Sequence, residues 1–414
     1  MIAVIEMKQL LMSLSLMFLF LLPVYCEEIE LESDYIYMID PENNQVLMDQ
    51  GSNELIYPAS MTKMMTLIVA LENIDNHSEM LKLDHEVFKG LYEANASLAG
   101  FSYNEEVSVK DCLYGLFLPS GAECTRALAI KTAGSEEAFV DLMNQKAKEL
   151  NMMNTPFVNT TGLHHKDHVT TLQDLSILLR YCLKNEDFME IFTSKSYVAT
   201  SGTKHNELKM ESTLFKRLSK DNTHYILGGK TGYTNPAGLC LASYASFEGR
   251  DVLLITAHAP VSSTPYHLLD AVEAYSYVFE QMHKIELCSQ DDSVTEISVR
   301  FTLPEQTVQI YPEETLQLTV PNDITPDSLR YEIHLNEDIK APLTASQNLG
   351  TLRIYHDNDL LGMCELEVRE DVIQSDLLIF IDQTKTWLSL NWKMLVLSIG
   401  VFSAVILFSK MRKS

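Results

Sequence analysis

The chain has 414 residues, enough for two domains and a sizeable core. Its 31 Lys and Arg stand against 57 Asp and Glu, a net charge of −26. Such acidity, with no basic stripe, argues against nucleic-acid binding and fits a well-solvated body.

The N-terminus reads as a secretory signal over residues 1–26. Lys8 precedes the apolar run Leu10 to Leu22, and Val24-Tyr25-Cys26 offers cleavage positions. Tyr35–Ile39 and Val46–Met48 flank Pro41-Glu42-Asn43-Asn44, the pattern of a β-hairpin. Helical text then dominates from about residue 59 to 190.

That text opens on Ser60-Met61-Thr62-Lys63, just behind Pro58-Ala59 and ahead of the apolar run Met64 to Leu71. Residues at i and i+3 share a helix face, so a hydroxyl and an amine come within reach of each other. Pro58 suits a first turn, and the helix dipole at Ser60 would favour developing negative charge. A helix apolar nearly all round is expected to be central and buried. Alone, the pattern is weak, because a Ser near a helix start is usually a cap.

Farther along, Leu116 to Glu123 reads as a short turn between two helices, with Ser120 at its apex. By itself Ser120 would be a cap for the second helix. His164-His165-Lys166-Asp167-His168 places two His at i and i+4, a spacing that could hold zinc on a helix. The stretch follows the turn Asn159-Thr160-Thr161-Gly162 and lacks a metalloprotease Glu, so we assign no metal site.

Strands return around 195–258. Gly228-Gly229-Lys230-Thr231-Gly232-Tyr233 leads into Leu239 to Ser246, then the turn Glu248-Gly249-Arg250 and a second strand, Val252 to Thr256. A phosphate loop would need glycine where His224 stands, and no strand-to-helix context follows. The stretch reads instead as an edge strand offering a cation and a hydroxyl to a carboxylate, with glycines that admit a substrate backbone. Thr264 to Ile285 reads as a closing helix, capped by Thr264 with Pro265 in its first turn.

From about Ser293 to Glu370 short alternating strands predict a small β-sandwich. Met394 to Phe408 runs without a charge, and Trp387 and Trp392 mark one boundary. Residues 387–409 are therefore expected to cross a membrane, with the basic tail 410–414 cytoplasmic; a helix lying along the surface is the alternative. The seven cysteines give no framework. Buried thiols are the default reading, and a Cys112–Cys124 bridge is the alternative. No Gly-x-Ser-x-Gly elbow suggests a Ser-His-Asp hydrolase.

Ser60-x-x-Lys63, then Ser120-Gly121-Ala122, then Lys230-Thr231-Gly232 resemble the ordered Ser-x-x-Lys, Ser-x-Asn and Lys-Thr-Gly motifs of penicillin-binding proteins and serine β-lactamases. The flanks Tyr57 to Thr66, Phe157 to Leu163 and Gly229 to Gly238 are similar to those of D-alanyl-D-alanine carboxypeptidases, the low-molecular-mass penicillin-binding proteins. The resemblance implies an α+β fold: a β-lactamase/transpeptidase-like domain over 30–285, with an antiparallel sheet between helices, then the β-sandwich over 293–370. It implies a serine peptidase that releases terminal D-alanine from peptidoglycan stem peptides and is acylated by β-lactams, without metal or cofactor.

By the same resemblance the stretch His164 to His168 is a surface loop before a helix that begins near Thr170-Thr171-Leu172, and Ser60 is the nucleophile, Lys63 its base and Ser120 the proton relay. Lys230, Thr231, Gly232 and Tyr233 bind substrate, and the backbone N–H groups of Ser60 and Tyr233 form the oxyanion hole. Ala122 departs from the pattern, since it has no amide to hold substrate or amine. Glu123 is expected to point elsewhere. Two rivals follow: a β-lactamase with fast deacylation, and a cell-wall binding module that has lost activity. The implied location is the cell membrane, with the catalytic body on the extracytoplasmic face.

Overall fold

The computed structural model describes residues 29–411 apart from 203, 205–206, 219–223 and 337, and for 404–411 the backbone alone. The expected signal at 1–26 lies outside the described residues, as do 412–414 of the basic tail. The chain divides into two units: one runs to Lys284 and takes in Thr319–Asp323, the other comprises Ile285–Leu318 and Ile324 onward.

In the first unit β1 (Tyr35–Ile39) and β2 (Val46–Gln50) form the expected hairpin. A 3₁₀ turn, Ala59–Thr62, feeds directly into α1 (Lys63–Asn73). There follow β3 (Met80–Leu83), α2 (His85–Phe88), β4 (Glu105–Ser108), α3 (Val109–Phe117), α4 (Ala122–Ala133), α5 (Glu136–Glu149), α6 (Leu172–Cys182) and α7 (Glu186–Thr193). Then come β5 (Ser196–Ala199), β6 (Leu208–Glu211), β7 (Ile226–Thr234), β8 (Gly238–Phe247), β9 (Arg250–Ala259) and α8 (Tyr266–Gln281).

Five strands make one antiparallel sheet in the order β2-β1-β9-β8-β7, which leaves β7 at an edge. Its side chains alternate between two cores, as a period of two requires. Tyr37, Ile39, Ala242, Leu253 and Ile255 pack with Met64, Leu67, Leu175 and Phe192 on one face. Ile36, Met38, Leu241 and Leu254 pack with Leu268, Ala271, Tyr275 and Val278 of α8 on the other. Helices therefore cover both faces. Every residue of α1 from Lys63 to Ala70 is buried, so it is the central helix that its apolar text demands.

Two boundaries differ from the sequence reading. Pro265, not Thr264, occupies the N-cap of α8. The helix stops at Gln281 rather than Ile285, because Met282 is extended and opens β10 (Met282–Cys288). There buried Ile285 and Leu287 bracket exposed Glu286, a strand period rather than a helical one.

The second unit is β-rich. It contains β11 (Thr295–Val299), β12 (Gln306–Pro312), the start of β13 (Leu316–Pro321), β14 (Leu329–Leu335), β15 (Asn348–His356) and β16 (Asp359–Glu367). Five of these form an antiparallel sheet, β11-β12-β16-β15-β14, whose buried Val308, Ile310, Leu352, Ile354, Cys364 and Leu366 fall at alternate positions. The last described element is α9 (Asp376–Met411).

The membrane span expected over 387–409 is not supported: among the described residues no helix is long and apolar enough to cross a membrane. Charges at Asp376, Asp382, Lys385 and Lys393 interrupt the described part of α9. The side chains of 404–409 lie outside the description.

Candidate active site

The Ser60 turn is built under constraint. Pro58 takes helical angles at the N-cap, and Ala59 adopts φ +46°, a conformation that non-glycine residues seldom hold. The sequence suggested an α-helical start here; the 3₁₀ turn found instead eclipses i and i+3. Lys63 Nζ accordingly lies 3.2 Å from Ser60 Oγ. Lys63 is 2 % exposed, and its amine donates to the Thr161 carbonyl at 2.5 Å. Burial pushes its pKa down to about 7, while the Glu123 carboxylate works in the opposite direction.

The segment 157–163 forms the floor. Asn159 Oδ1 accepts from Thr161 N, Thr161 Oγ1 and Gly162 N at 3.1, 3.1 and 2.8 Å, which fixes a tight turn. Thr66 Oγ1 donates to Thr160 O at 2.7 Å and ties that turn to α1. Gly162 has φ +79°, and a methyl group there would overlap the Ala59 carbonyl.

His168 lies within this layer rather than on a surface loop. Val158 N donates to its Nδ1 at 3.2 Å, so Nε2 carries the proton and donates to Thr62 Oγ1 at 2.9 Å. Burial lowers its pKa to about 4 and keeps the ring neutral. Among the described residues no group of three His, Cys, Asp or Glu is placed to hold a metal.

Ser120 occupies the corner between α3 and α4. Gly121, not Ser120, is the N-cap of α4, and Ser120 has φ +66°. Its hydroxyl is buried with no hydrogen-bond partner among the described residues. Gly121 is required here, since a methyl would come 2.7 Å from Ala99 and from the Gly115 carbonyl.

Glu123 does turn away from the corner. Its Oε1 accepts from Ala99 N and Gly100 N at 2.7 and 3.0 Å, bracing the loop before β4. Its Oε2 is buried without a partner among the described residues, and burial raises its pKa. Sequence reasoning missed this brace; the available signal was a carboxylate in the first turn of a largely buried helix.

β7 forms the opposite wall. Lys230 is 1 % exposed, donates to Thr231 O at 3.0 Å and stands over the Phe117 ring. Burial, and then the charge of Lys63, hold its pKa well below the usual lysine value. Thr231 Oγ1 shares a 2.6 Å hydrogen bond with Thr213 Oγ1, a partner that sequence reasoning did not identify. Thr213 N also donates to Leu118 O, joining β7's neighbourhood to the Ser120 corner. Gly232 passes the Ser60 turn so closely that a methyl would lie 3.2 Å from Ser60 N, Ala59 Cβ and Pro58 O. Tyr233 is half-exposed, with its hydroxyl donating to Asn235 Oδ1 at 2.6 Å.

The chain is similar to known proteins over most of its length. Residues 24–260 match the family described as D-alanyl-D-alanine carboxypeptidase, and residues 283–374 match the C-terminal domain of penicillin-binding protein 5. The D-alanyl-D-alanine carboxypeptidase DacF of Bacillus subtilis is 28% identical over 363 residues, spanning 86% of this chain and 90% of the relative. The crystal structure of the carboxypeptidase DacD from Francisella tularensis has the same fold, with a TM-score of 0.70 at 21% identity over 85% of this chain and 97% of that one. The Streptomyces K15 DD-transpeptidase aligns at 25% identity and a TM-score of 0.56, covering 61% of this chain and 99% of its own. The chain belongs to the D-alanyl-D-alanine carboxypeptidase family of serine peptidases, with the layout of a low-molecular-mass penicillin-binding protein.

Proposed function

We propose that this chain hydrolyses the terminal D-alanyl-D-alanine bond of peptidoglycan stem peptides through an acyl-enzyme on Ser60. The observation that carries the assignment is the buried Lys63 amine 3.2 Å from the Ser60 hydroxyl. An amine with a pKa of about 7 is substantially neutral at physiological pH and can take the serine proton. Ser60 Oγ then bonds to the carbonyl carbon of the penultimate residue. The backbone N–H groups of Ser60 and Tyr233 hold the resulting oxyanion. Ser120 relays the proton to the departing amine, and the C–N bond breaks. Lys230 and Thr231 hold the terminal carboxylate beside the open edge of β7, where Gly232 leaves room for substrate backbone. Water completes hydrolysis of the ester. A β-lactam follows the first half of this course, and its opened ring stays bonded to Ser60.

Carboxypeptidase is favoured over β-lactamase because the likeness to carboxypeptidases continues through the second unit. Incubation with penicillin should add the mass of one opened β-lactam to the wild type and none to Ser60→Ala; equal labelling would remove Ser60 from the mechanism. Release of D-alanine from a pentapeptide, without sustained nitrocefin turnover, separates the two activities.

We further infer an extracytoplasmic location, supported by Lys8 and the apolar run Leu10 to Leu22, and membrane attachment through the apolar stretch beginning at Met394. Recovery of chain cut back to residue 375 in the soluble fraction, with the uncut chain in membranes, tests the attachment.

A further inference from the structure

The second unit carries a feature that hydrolysis does not use. Cys288, the last residue of β10, and Cys364 in β16 are separated by 76 positions in sequence, yet their Sγ atoms lie 3.4 Å apart. Cys364 is 4 % exposed, whereas Cys288 is half-buried and reachable. Cys112, Cys124, Cys182 and Cys240 are all fully buried. A disulfide needs about 2.05 Å between sulfurs, so the pair must close by about 1.4 Å from its 3.4 Å separation. Rotation of the half-exposed Cys288 side chain offers that movement.

We propose that Cys288 and Cys364 form a dithiol site that a small, uncharged disulfide oxidises to a covalent bridge between β10 and β16. The two sulfurs have different parts. With Cys364 S–H as the donor in their contact, the Cys288 thiolate is favoured and the Cys364 one disfavoured. Cys288 therefore attacks first. Its thiolate bonds to one sulfur of the reagent and expels the other half as a thiolate. Cys364, deprotonated as its sulfur approaches, then attacks the Cys288 sulfur of the mixed disulfide and expels the second half. Two protein thiols and one disulfide become one protein disulfide and two small thiols, which balances electrons and protons.

The surroundings select the reagent. Glu286 and Glu314 act on Cys288 with negative charge, so an anionic disulfide is repelled and a neutral one is not.

The test uses the purified, reduced full chain and bis(2-hydroxyethyl) disulfide, with peptide mapping by mass spectrometry under non-reducing conditions. Wild type should yield the peptide containing Cys288 linked to the peptide containing Cys364, with no reagent retained at either. Cys364→Ser should stop at the first step and keep one mercaptoethanol group on Cys288. Cys288→Ser should leave Cys364 unmodified over the same period. The bridged protein should melt at a higher temperature than the reduced one, and dithiothreitol should reverse the change. The proposal is overturned if wild type carries separate adducts at both cysteines without a cross-link, or if both thiols stay free while Cys364→Ser is also unmodified.

Discussion

Lys63 donates to the main-chain carbonyl of Thr161 at 2.5 Å while facing Ser60 Oγ at 3.2 Å, so the floor segment aims the amine at the hydroxyl. With a pKa of about 7, the neutral fraction of Lys63 rises as pH increases through neutrality. β-Lactam acylation on the proposed mechanism should therefore climb about tenfold per pH unit below that value and level above it. Lys63→Arg stays charged throughout and should lose about 10²–10⁴ in acylation rate. Stopped-flow acylation measured from about pH 5 to about pH 9 checks both, and a flat wild-type profile would remove the amine from the base role.

Glu123 adds a test of sign. Its negative charge favours the Lys63 cation, so removing it should lower the amine's pKa and move the rising limb to lower pH. Glu123→Gln keeps an oxygen for Ala99 N and Gly100 N, so the fold should persist. Glu123→Ala leaves both buried donors without that acceptor and should destabilise by about 1–3 kcal/mol in denaturant melts.

Ala122 is fully buried beside the Ser120 corner and offers no side-chain hydrogen bond. Ala122→Asn should raise kcat/KM for D-alanine release by about tenfold if one charge-assisted hydrogen bond to substrate or amine is restored. An unchanged value would show that this site works without an amide there.

Gly162→Ala should be among the most damaging single-methyl changes in the chain. The residue needs φ +79°, and the methyl would overlap the Ala59 carbonyl. A loss of about 3 kcal/mol or more is expected, together with the loss of penicillin labelling. Circular dichroism melts separate displacement of the turn from global unfolding.

His168 sets an acid limit. Its folded pKa of about 4 lies below the ordinary value of 6.5, so the unfolded chain binds the extra proton across that window. The stability it protects is present above about pH 6.5 and falls away as pH drops toward about 4, by about 3 kcal/mol in all. His267, buried and held at about 4 as well, adds a term of the same sign. His168→Gln should flatten part of this fall, measured as the urea midpoint at each pH.

The motif residues were legible because chemistry restricts them: Ser60 and Lys63 must share a face, and Lys230 and Thr231 need an edge strand. The hairpin at β1 and β2 and the buried α1 were legible from period alone. What supports the motifs was not. His168 looked like one of several loop histidines, because sequence spacing carries no record of the fold that brings Thr62 onto its ring nitrogen. Thr213 and Thr231 lie 18 positions apart, and nothing in that spacing marks the hydrogen bond between them. The 3₁₀ turn at Ser60 escaped because Pro58 and the following apolar run suit an α-helix equally well, and tertiary packing made the choice. At α8 the helical spacing of Leu268 through Phe279 carried the reading past Gln281, where the chain had already become a strand.

Ala59 and Ser60 are gripped by two glycines, Gly162 and Gly232, that enter the chain about a hundred and about a hundred and seventy positions later. Local hydrogen bonds such as Met61 N to Pro58 O shape the turn, but the positive φ of Ala59 is enclosed by distant segments. The enclosure is complete only when late-synthesised segments arrive on either side. On the proposed mechanism, an incompletely folded chain would consequently bear a serine of ordinary reactivity, and a newly made molecule would stay chemically silent until its topology was finished.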